Sequence, residues 1–222
     1  MNNAPLTIAV IGGTGKEGSG LAARWAKAGH TVIIGSRDGA KAQLKAQEMN
    51  TALGISTLSG MENLEAAKAG TLVVLTVPYD SHRATLEYLK DALQGKILVD
   101  VTVPLAPPKI RTVHLPAGQA ASLEAQTLLG EGVKVVTAYQ NISSVHLGDE
   151  DEHIECDVLI CGNDEAAKDQ VIALTKDLGM RGIDAGLLQN AIAIEALTPV
   201  LLYINKKYKV KSSGVVITGI QA

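Results

Sequence analysis

The chain has 222 residues, 46% of them hydrophobic and only 3% aromatic, with no Phe and a formal net charge of −3. That length allows one large domain or one domain plus a small one, and the abundance of Ala, Gly, Val, Ile and Leu suits buried parallel strands under Ala/Leu helices. The slight negative charge argues against nucleic acid as a partner. There is no basic leader and no apolar run of membrane-spanning length, so no membrane partner is expected and the default location is cytoplasmic.

In chain order, Leu6–Ile11 reads as a strand that runs into Gly12-Gly13-Thr14-Gly15-Lys16-Glu17-Gly18. Gly15–Ala28 reads as a helix ending at Gly29, and His30–Gly35 as a second strand closed by Ser36-Arg37. The loop is G-x-G-x-x-G on Gly13, Gly15 and Gly18, between a strand and a helix, the context in which the pattern marks a dinucleotide site. Gly13 is expected to make the tight turn, Gly15 to let the pyrophosphate approach, and Gly18 to let the helix pack close. The pyrophosphate would lie on the helix N-terminus, where free N–H groups and the dipole favour anions. NAD enzymes usually carry Asp or Glu about 20 residues past the loop, for the ribose 2′-hydroxyl. Here Ser36 and Arg37 stand at the strand end, a hydroxyl and a guanidinium suited to a 2′-phosphate. The cofactor expected is NADP.

Further along, Gly39–Met49 reads as a helix, Ser56–Ser59 as a short strand, Gly60–Ala69 as a helix and Thr71–Val77 as a strand. Ser81–Leu93 follows as a helix and Lys96–Asp100 as a strand. This rhythm is that of a Rossmann-like doubly wound α/β sheet. Pro104–Pro116 holds four of the seven prolines and is a loop. Then come a Gly118–Leu129 helix, a Val133–Tyr139 strand, an acidic stretch at Gly148–Glu155 that reads as a solvated loop or as a repelling wall at a site mouth, and an Asp157–Cys161 strand. Asp164–Leu178 reads as a helix capped by Asn163 or Asp164, and Arg181–Asp184 as a short strand. Leu187–Asn205 is a long apolar helix containing Pro199, suited to a core or a dimer interface. The tail carries Lys206, Lys207, Lys209 and Lys211, then Val215–Ile220. Two parts are expected, an NADP-binding domain over 1–140 and a small C-terminal α/β extension over 141–222 that covers the site and makes the dimer contact.

Ligands of an open parallel sheet sit beyond the carboxyl ends of its strands. Thr76-Val77-Pro78 and Thr102-Val103-Pro104 are strand ends fixed by Pro, turns against which a flat ring can lie. Neither a Ser-x-x-x-Lys nor a Tyr-x-x-x-Lys pairing stands where a short-chain dehydrogenase needs one. Tyr79 and His82 are the nearest titratable side chains to the nicotinamide end, with His82 read as part of the helix start. A carbonyl or imine reductase needs a proton donor in reach, whereas hydride exchange between two redox cofactors needs much less. Cys156 and Cys161 read as buried, reduced thiols, and neither they nor the five histidines have metal-ligand spacing, so no metal is expected.

The chain resembles the F420-dependent NADP reductases. The resemblance rests on Ile8–Gly18, Gly29–Arg37, Val74–Pro78, Val133–Ala138, Cys161-Gly162, Asp184-Ala185-Gly186 and Glu195–Pro199, in order along nearly the whole chain. It implies a Rossmann protein, usually a homodimer, that moves hydride reversibly between NADP(H) and the 8-hydroxy-5-deazaflavin coenzyme F420, with no catalytic side chain. It implies that Thr14, Ser36, Arg37 and Lys41 hold the NADP phosphates, beside the loop residues Gly13, Gly15, Lys16 and Glu17 and the turn Thr76, Val77 and Pro78. The deazaflavin would lie near Val103 and Pro104, the strand end Ala138, Tyr139, Gln140, Asn141 and Ile142, and the C-terminal helix. The family often has a His just after the Val133–Ala138 strand, where this chain reads Tyr139-Gln140-Asn141. Coenzyme F420 carries a phosphate and a polyglutamate tail, which lysines at a site mouth would attract; a solvated tail is the other reading of those lysines. Two other functions stay open. One is an NADPH reductase of another flavin or of a small carbonyl or imine, with Tyr139 or His82 as donor. The other is a non-catalytic NADP(H) sensor.

Overall fold

A computed structural model describes residues 4–149 and 153–220. Eight strands form one sheet in the order β3-β2-β1-β4-β5-β6-β7-β8. They are β1 Thr7–Ile11, β2 Thr31–Ser36, β3 Leu58–Glu62, β4 Leu72–Leu75, β5 Ile97–Asp100, β6 Lys134–Thr137, β7 Asp157–Gly162 and β8 Arg181–Asp184. The first six are parallel throughout, with Ile8 opposite Val32 on one side and Leu72 on the other. β7 joins β6 antiparallel through Val136–Gly162 and Thr137–Cys161, and β8 runs parallel to β7. The doubly wound α/β expectation is met, and its C-terminal extension continues the same sheet.

The helices are α1 Lys16–Lys27, α2 Gly39–Leu53, α3 Asn63–Ala69, α4 Tyr79–Leu93, α5 Ala121–Leu129, α6 Ser144–Leu147, α7 Glu165–Asp177 and α8 Ala191–Tyr208. Successive strand residues point to opposite faces, so each buried strand feeds two cores. Ile8 and Val10 meet Leu21, Trp25, Ala42, Val171 and Leu174 from α1, α2 and α7. Ala9 and Ile11 meet Ala66, Leu86, Leu89 and Ala125 from α3, α4 and α5. Both faces are thus covered, the arrangement that lets an uninterrupted apolar strand be stable.

Several boundaries differ from the sequence reading. Gly60, expected in a helix, lies within β3, and α3 starts at Asn63 behind the Glu62 cap, whose carboxylate accepts from Leu64 N–H at 2.8 Å. A Cβ on Gly60 would lie 2.2 Å from the Ala42 backbone, so β3 presses against α2 at a glycine. α2 runs to Leu53 and closes on Gly54, which has φ 66°. β6 stops at Thr137, short of the expected end at Tyr139, and the tail from Val215 to Ile220, for which no element was expected, has no regular structure. That tail lies along β7 instead: Asp157 N–H donates to Val215 O at 2.7 Å, and Arg181 holds the Asp157 carboxylate at 2.8 and 2.7 Å. Asp164 is the cap of α7, accepting from Ala167 N–H at 2.8 Å, while Asn163 accepts from Leu188 N–H. Residues 150–152 of the acidic stretch lie outside the described residues. Cys156 and Cys161 are both free and buried.

The C-terminal part is locked to the first half through α1. A Cβ on Gly20 would lie 2.6 Å from Leu147 Cβ, so α6 seats on a notch in α1. Trp25 Nε1 donates to Leu174 O at 3.2 Å, and buried Arg24 donates to His146 O and Leu178 O. Asn141 and Thr198 tie the loop after β6 to α8, as set out below. These contacts hold α8 across the carboxyl ends of the strands.

Candidate functional site

The reversal of strand order falls between β1 and β4, and the crevice there is where a doubly wound sheet takes its ligand. The glycine loop lies in it. Gly12 carries the turn, with φ 77°, a conformation that disfavours other residues. Gly13, expected to make that turn, is needed for a different reason: a Cβ there would lie 2.7 Å from Val10 O, and its N–H donates to Gly35 O at 3.0 Å. Gly18 brings α1 onto the loop, because its Cβ would lie 2.5 Å from Thr76 Oγ1 and 2.8 Å from Gly13 Cα. Gly15 is the N-cap of α1 and supplies no side-chain oxygen, so the first-turn N–H groups are left to face an anion.

A cavity of about 320 Å³ opens at that helix end, lined by Thr14, Gly15, Lys16, Glu17, Ser36, Arg37, Lys41, Thr76, Val77 and Pro78 among others. Ten of the residues predicted from sequence meet here. Gly13 is buried beneath them. The nearest acid after β2, Asp38, caps α2 through Lys41 N–H at 3.1 Å and also donates its own N–H to Ser36 Oγ at 3.2 Å. That carboxylate is therefore committed to the helix, and Arg37 and Lys41 are left exposed at the rim. Sequence reasoning missed Asn63. It is 5% exposed, lines the same cavity under Gly35, and its Oδ1 has no protein partner. Its signal was the end of β3, a strand read only in outline.

A second cavity of about 380 Å³ adjoins the first and shares Glu17, Thr76, Val77 and Pro78 with it. Val103, Gln140, Asn141 and Ile142 line it as expected, together with Thr198, Leu201, Leu202 and Asn205 of α8 and Ser213. Pro104 and Ala138 are buried next to it and do not line it. Tyr139, expected among the contacts, has its side chain in the core. It sits at φ 74°, its ring meets Trp25 edge-on at 5.8 Å, and its hydroxyl pairs with Thr175 Oγ1 at 2.9 Å. Turning Tyr139 inward brings the next two side chains to the cavity wall.

Both of those amides are fixed by their nitrogens. Gln140 Nε2 donates to Asp100 O at 2.6 Å; Asn141 Nδ2 donates to Ile194 O and to Thr198 Oγ1, each at 3.1 Å. Thr198 Oγ1 in turn donates to Gln140 O at 2.9 Å. Because each NH2 group faces a carbonyl, each amide oxygen is set the other way. Gln140 Oε1, Asn141 Oδ1 and Asn205 Oδ1 are buried and have no protein partner. Unpaired buried acceptors cost stability, so three of them among residues that line one cavity call for donors that the protein itself does not supply.

The two titratable side chains that the sequence placed near the nicotinamide end, His82 and Tyr79, are both engaged with other residues. His82, read from sequence as a helix start, is buried on α4, with Nε2 2.7 Å from Asp100 Oδ2. Burial pulls His82 down and the Asp100 carboxylate pulls it up, with a net shift upward. Tyr79 lines the cavity, but its hydroxyl donates to Glu124 at 2.9 Å; burial and that bond push it up to about 12. Glu17, half-buried between the two cavities, is raised to about 8 by loss of water around its carboxyl. Among the described residues no group of three or more His, Cys, Asp or Glu could hold a metal ion, and no helix is long and apolar enough to cross a membrane.

The family described as NADP oxidoreductase, coenzyme F420-dependent, matches residues 7–104. An F420-dependent NADP reductase of Methanocaldococcus jannaschii is 43% identical over 97% of this chain and 100% of its own length. The chain belongs to the F420-dependent NADP reductase family. The Methanothermobacter marburgensis reductase is 40% identical over 97% of this chain and 99% of its own. A crystal structure of a putative F420-dependent NADP reductase from Arthrobacter sp. FB24 superimposes with a TM-score of 0.78 at 26% identity, over 96% of this chain and 100% of that one. The family model ends before α5, whereas the full-length relatives also cover the β7–α8 region that walls the second cavity.

Proposed function

We propose that this protein is an NADP-dependent oxidoreductase that passes hydride reversibly between NADP(H) and the deazaflavin coenzyme F420. The observation that carries the reading is the pair of cavities joined at Glu17 and Thr76–Pro78, one at a helix end with cations at its rim, the other lined by apolar side chains and the fixed amides of Gln140 and Asn141. The full-length relatives, F420-dependent NADP reductases by name, supply the identity of the second ring. The reduced deazaflavin gives two electrons and a hydrogen as hydride from C5 to nicotinamide C4, and releases one proton.

The protein's work is to bind and orient. The α1 N-terminus and Thr14 take the pyrophosphate, and Ser36, Arg37 and Lys41 take the 2′-phosphate. Val77, Pro78 and Val103 form the flat apolar floor for the rings, and Ile142 with Leu201 and Leu202 of α8 excludes water. The oxygens of Gln140 and Asn141 fit a ring edge that carries N–H groups, which both the nicotinamide carboxamide and the imide-like edge of a deazaflavin offer. Tyr139 and His82, the donors a carbonyl or imine reductase would need, are both withdrawn from the cavity.

On this reading the chain divides near residue 140 into a nucleotide-binding part and a smaller part that covers the second ring. It acts in the cytoplasm as a homodimer, whose contact includes the exposed Val200 and Tyr203 of α8. Stopped-flow absorbance at the deazaflavin band tests the central claim. Mixing with NADPH and oxidised F420 should bleach the band at a catalytic rate, and much more slowly with NADH. Tight NADPH binding with the band untouched would make the second substrate wrong.

A further inference from the structure

The chain's charge is unevenly placed. Its formal net charge is −3, yet from Ala196 to the C-terminus there are four lysines and no Asp, Glu or Arg. Lys206 and Lys207 end α8, and Lys209 and Lys211 follow. All four are exposed, and among the described residues none makes an ion pair.

Their place in the fold matters more than their number. Asn205 and Ser213, the residues that bracket them, both line the second cavity. The chain between is a compact reversal: Lys209 closes the helix at φ 56°, Val210 N–H donates to Asn205 O at 3.2 Å, and Ser213 Oγ donates to Leu201 O at 3.4 Å. The lysines therefore sit on a fixed turn whose two ends enter the cavity wall. Helix C-termini favour cations, which accounts for Lys206 and Lys207 but not for Lys209 and Lys211 beyond the last turn. A left-handed lysine at the cap, where glycine is the easier residue, points the same way.

We propose that the Lys206–Lys211 turn is a recognition site for the anionic side chain of the deazaflavin, its phosphodiester and glutamate carboxylates. This rests on the reading of the second cavity as the deazaflavin site and assigns the part of the ligand that the cavity does not enclose. Long, flexible lysines on an exposed turn suit a tail of variable length, since they bind charge without demanding one geometry.

The test uses two ligands that share a chromophore: coenzyme F420, and 8-hydroxy-5-deazariboflavin, which lacks phosphate and glutamates. The wild type is compared with the K206Q/K207Q/K209Q/K211Q variant, reading Kd by deazaflavin fluorescence and KM with NADPH. Four exposed pairs at the weaker end of their usual strength amount to roughly a tenfold effect. The variant should therefore bind F420 about tenfold more weakly, with the tail-less ligand unchanged in Kd and KM. Added salt should weaken F420 binding to the wild type and leave the variant nearly indifferent. An unchanged ratio of the two ligands' Kd values, or equal losses for both, overturns the assignment. If the wild type uses the tail-less ligand as well as F420, the hydride-transfer reading stands and this inference fails. If the wild type binds neither, both fail.

Discussion

At the residue scale, the proposed preference for NADP rests most on Arg37. It is exposed at the end of β2 beside Lys41, while the carboxylate that would otherwise repel a 2′-phosphate, Asp38, is engaged in capping α2. Replacing Arg37 by Ala should weaken NADPH binding by about 1.5–3 kcal/mol, the usual loss for a hydrogen bond to a charged group, and leave NADH binding little changed. Isothermal titration of both cofactors decides it, and equal losses would mean that Arg37 does not read the phosphate. Glu17 makes a second residue-scale prediction. Its carboxyl is raised to about 8 by desolvation, so it is protonated at neutral pH and ionises as the pH passes that value. A raised carboxyl stabilises the fold below its unfolded value of about 4.3 and loses that contribution as pH climbs toward the folded one. On the proposed reading the ionised form would also repel the dinucleotide phosphates in the cavity that Glu17 lines. NADPH affinity should thus fall between pH 7 and 9 in the wild type and stay nearly flat in Glu17→Gln, with kcat at pH 7 retained. A parallel fall in both proteins would show that some other group is titrating.

At the scale of elements, the close seat of α1 against the glycine loop is the feature most easily broken. Gly18→Ala places a methyl 2.5 Å from Thr76 Oγ1, and Thr76 is held by its own bond to Ile11 O at 2.9 Å. The helix has to move off the sheet, at a cost of about 1–3 kcal/mol. Denaturant unfolding should show that loss, and NADPH binding should weaken further because the displaced helix end is the one proposed to take the pyrophosphate. Unchanged stability and affinity would mean that the approach is not tight. α8 illustrates a different kind of positioning. Pro199 interrupts its hydrogen bonding, and Ile194 O and Thr198 Oγ1 on the turn before it serve the Asn141 amide. The proline and the residues that hold the Asn141 amide thus share one stretch of a continuous helix.

For the whole molecule, the sheet runs unbroken from β3 to β8, so the expected two-part division is one of role along a single sheet. The Asp157–Arg181 pair and the tail strap on β7 fix that far edge; the Arg181 guanidinium holds Asp157 below the ordinary carboxylate range. Val200 and Tyr203 are 42% and 55% exposed and share one face of α8, while Ile194, Glu195 and Leu201 face inward. Light scattering coupled to gel filtration should give the mass of a dimer, and Tyr203→Asp should shift it toward the monomer. A wild-type monomer at micromolar concentration would remove α8 from the interface.

Local chemistry was enough to mark the cofactor. Gly12–Gly18 followed by Ser36-Arg37 can be read without a fold, because backbone approach and phosphate charge are properties of neighbouring residues. The strand–helix rhythm was legible for the same reason, since periodicity is local. The misplaced start of α3 and the reassigned roles of Gly12 and Gly13 reflect contacts with Ala42 and Val10 that no local pattern announces. The second cavity depended on the tertiary structure. Only the fold turns Tyr139 into the core, fixes the amide nitrogens of Gln140 and Asn141, and brings Asn205 to the same cavity. The physical reason is that each amide's orientation is decided by a carbonyl some 40 to 53 positions away, Asp100 or Ile194. Those partners meet only once β5, β6 and α8 have packed.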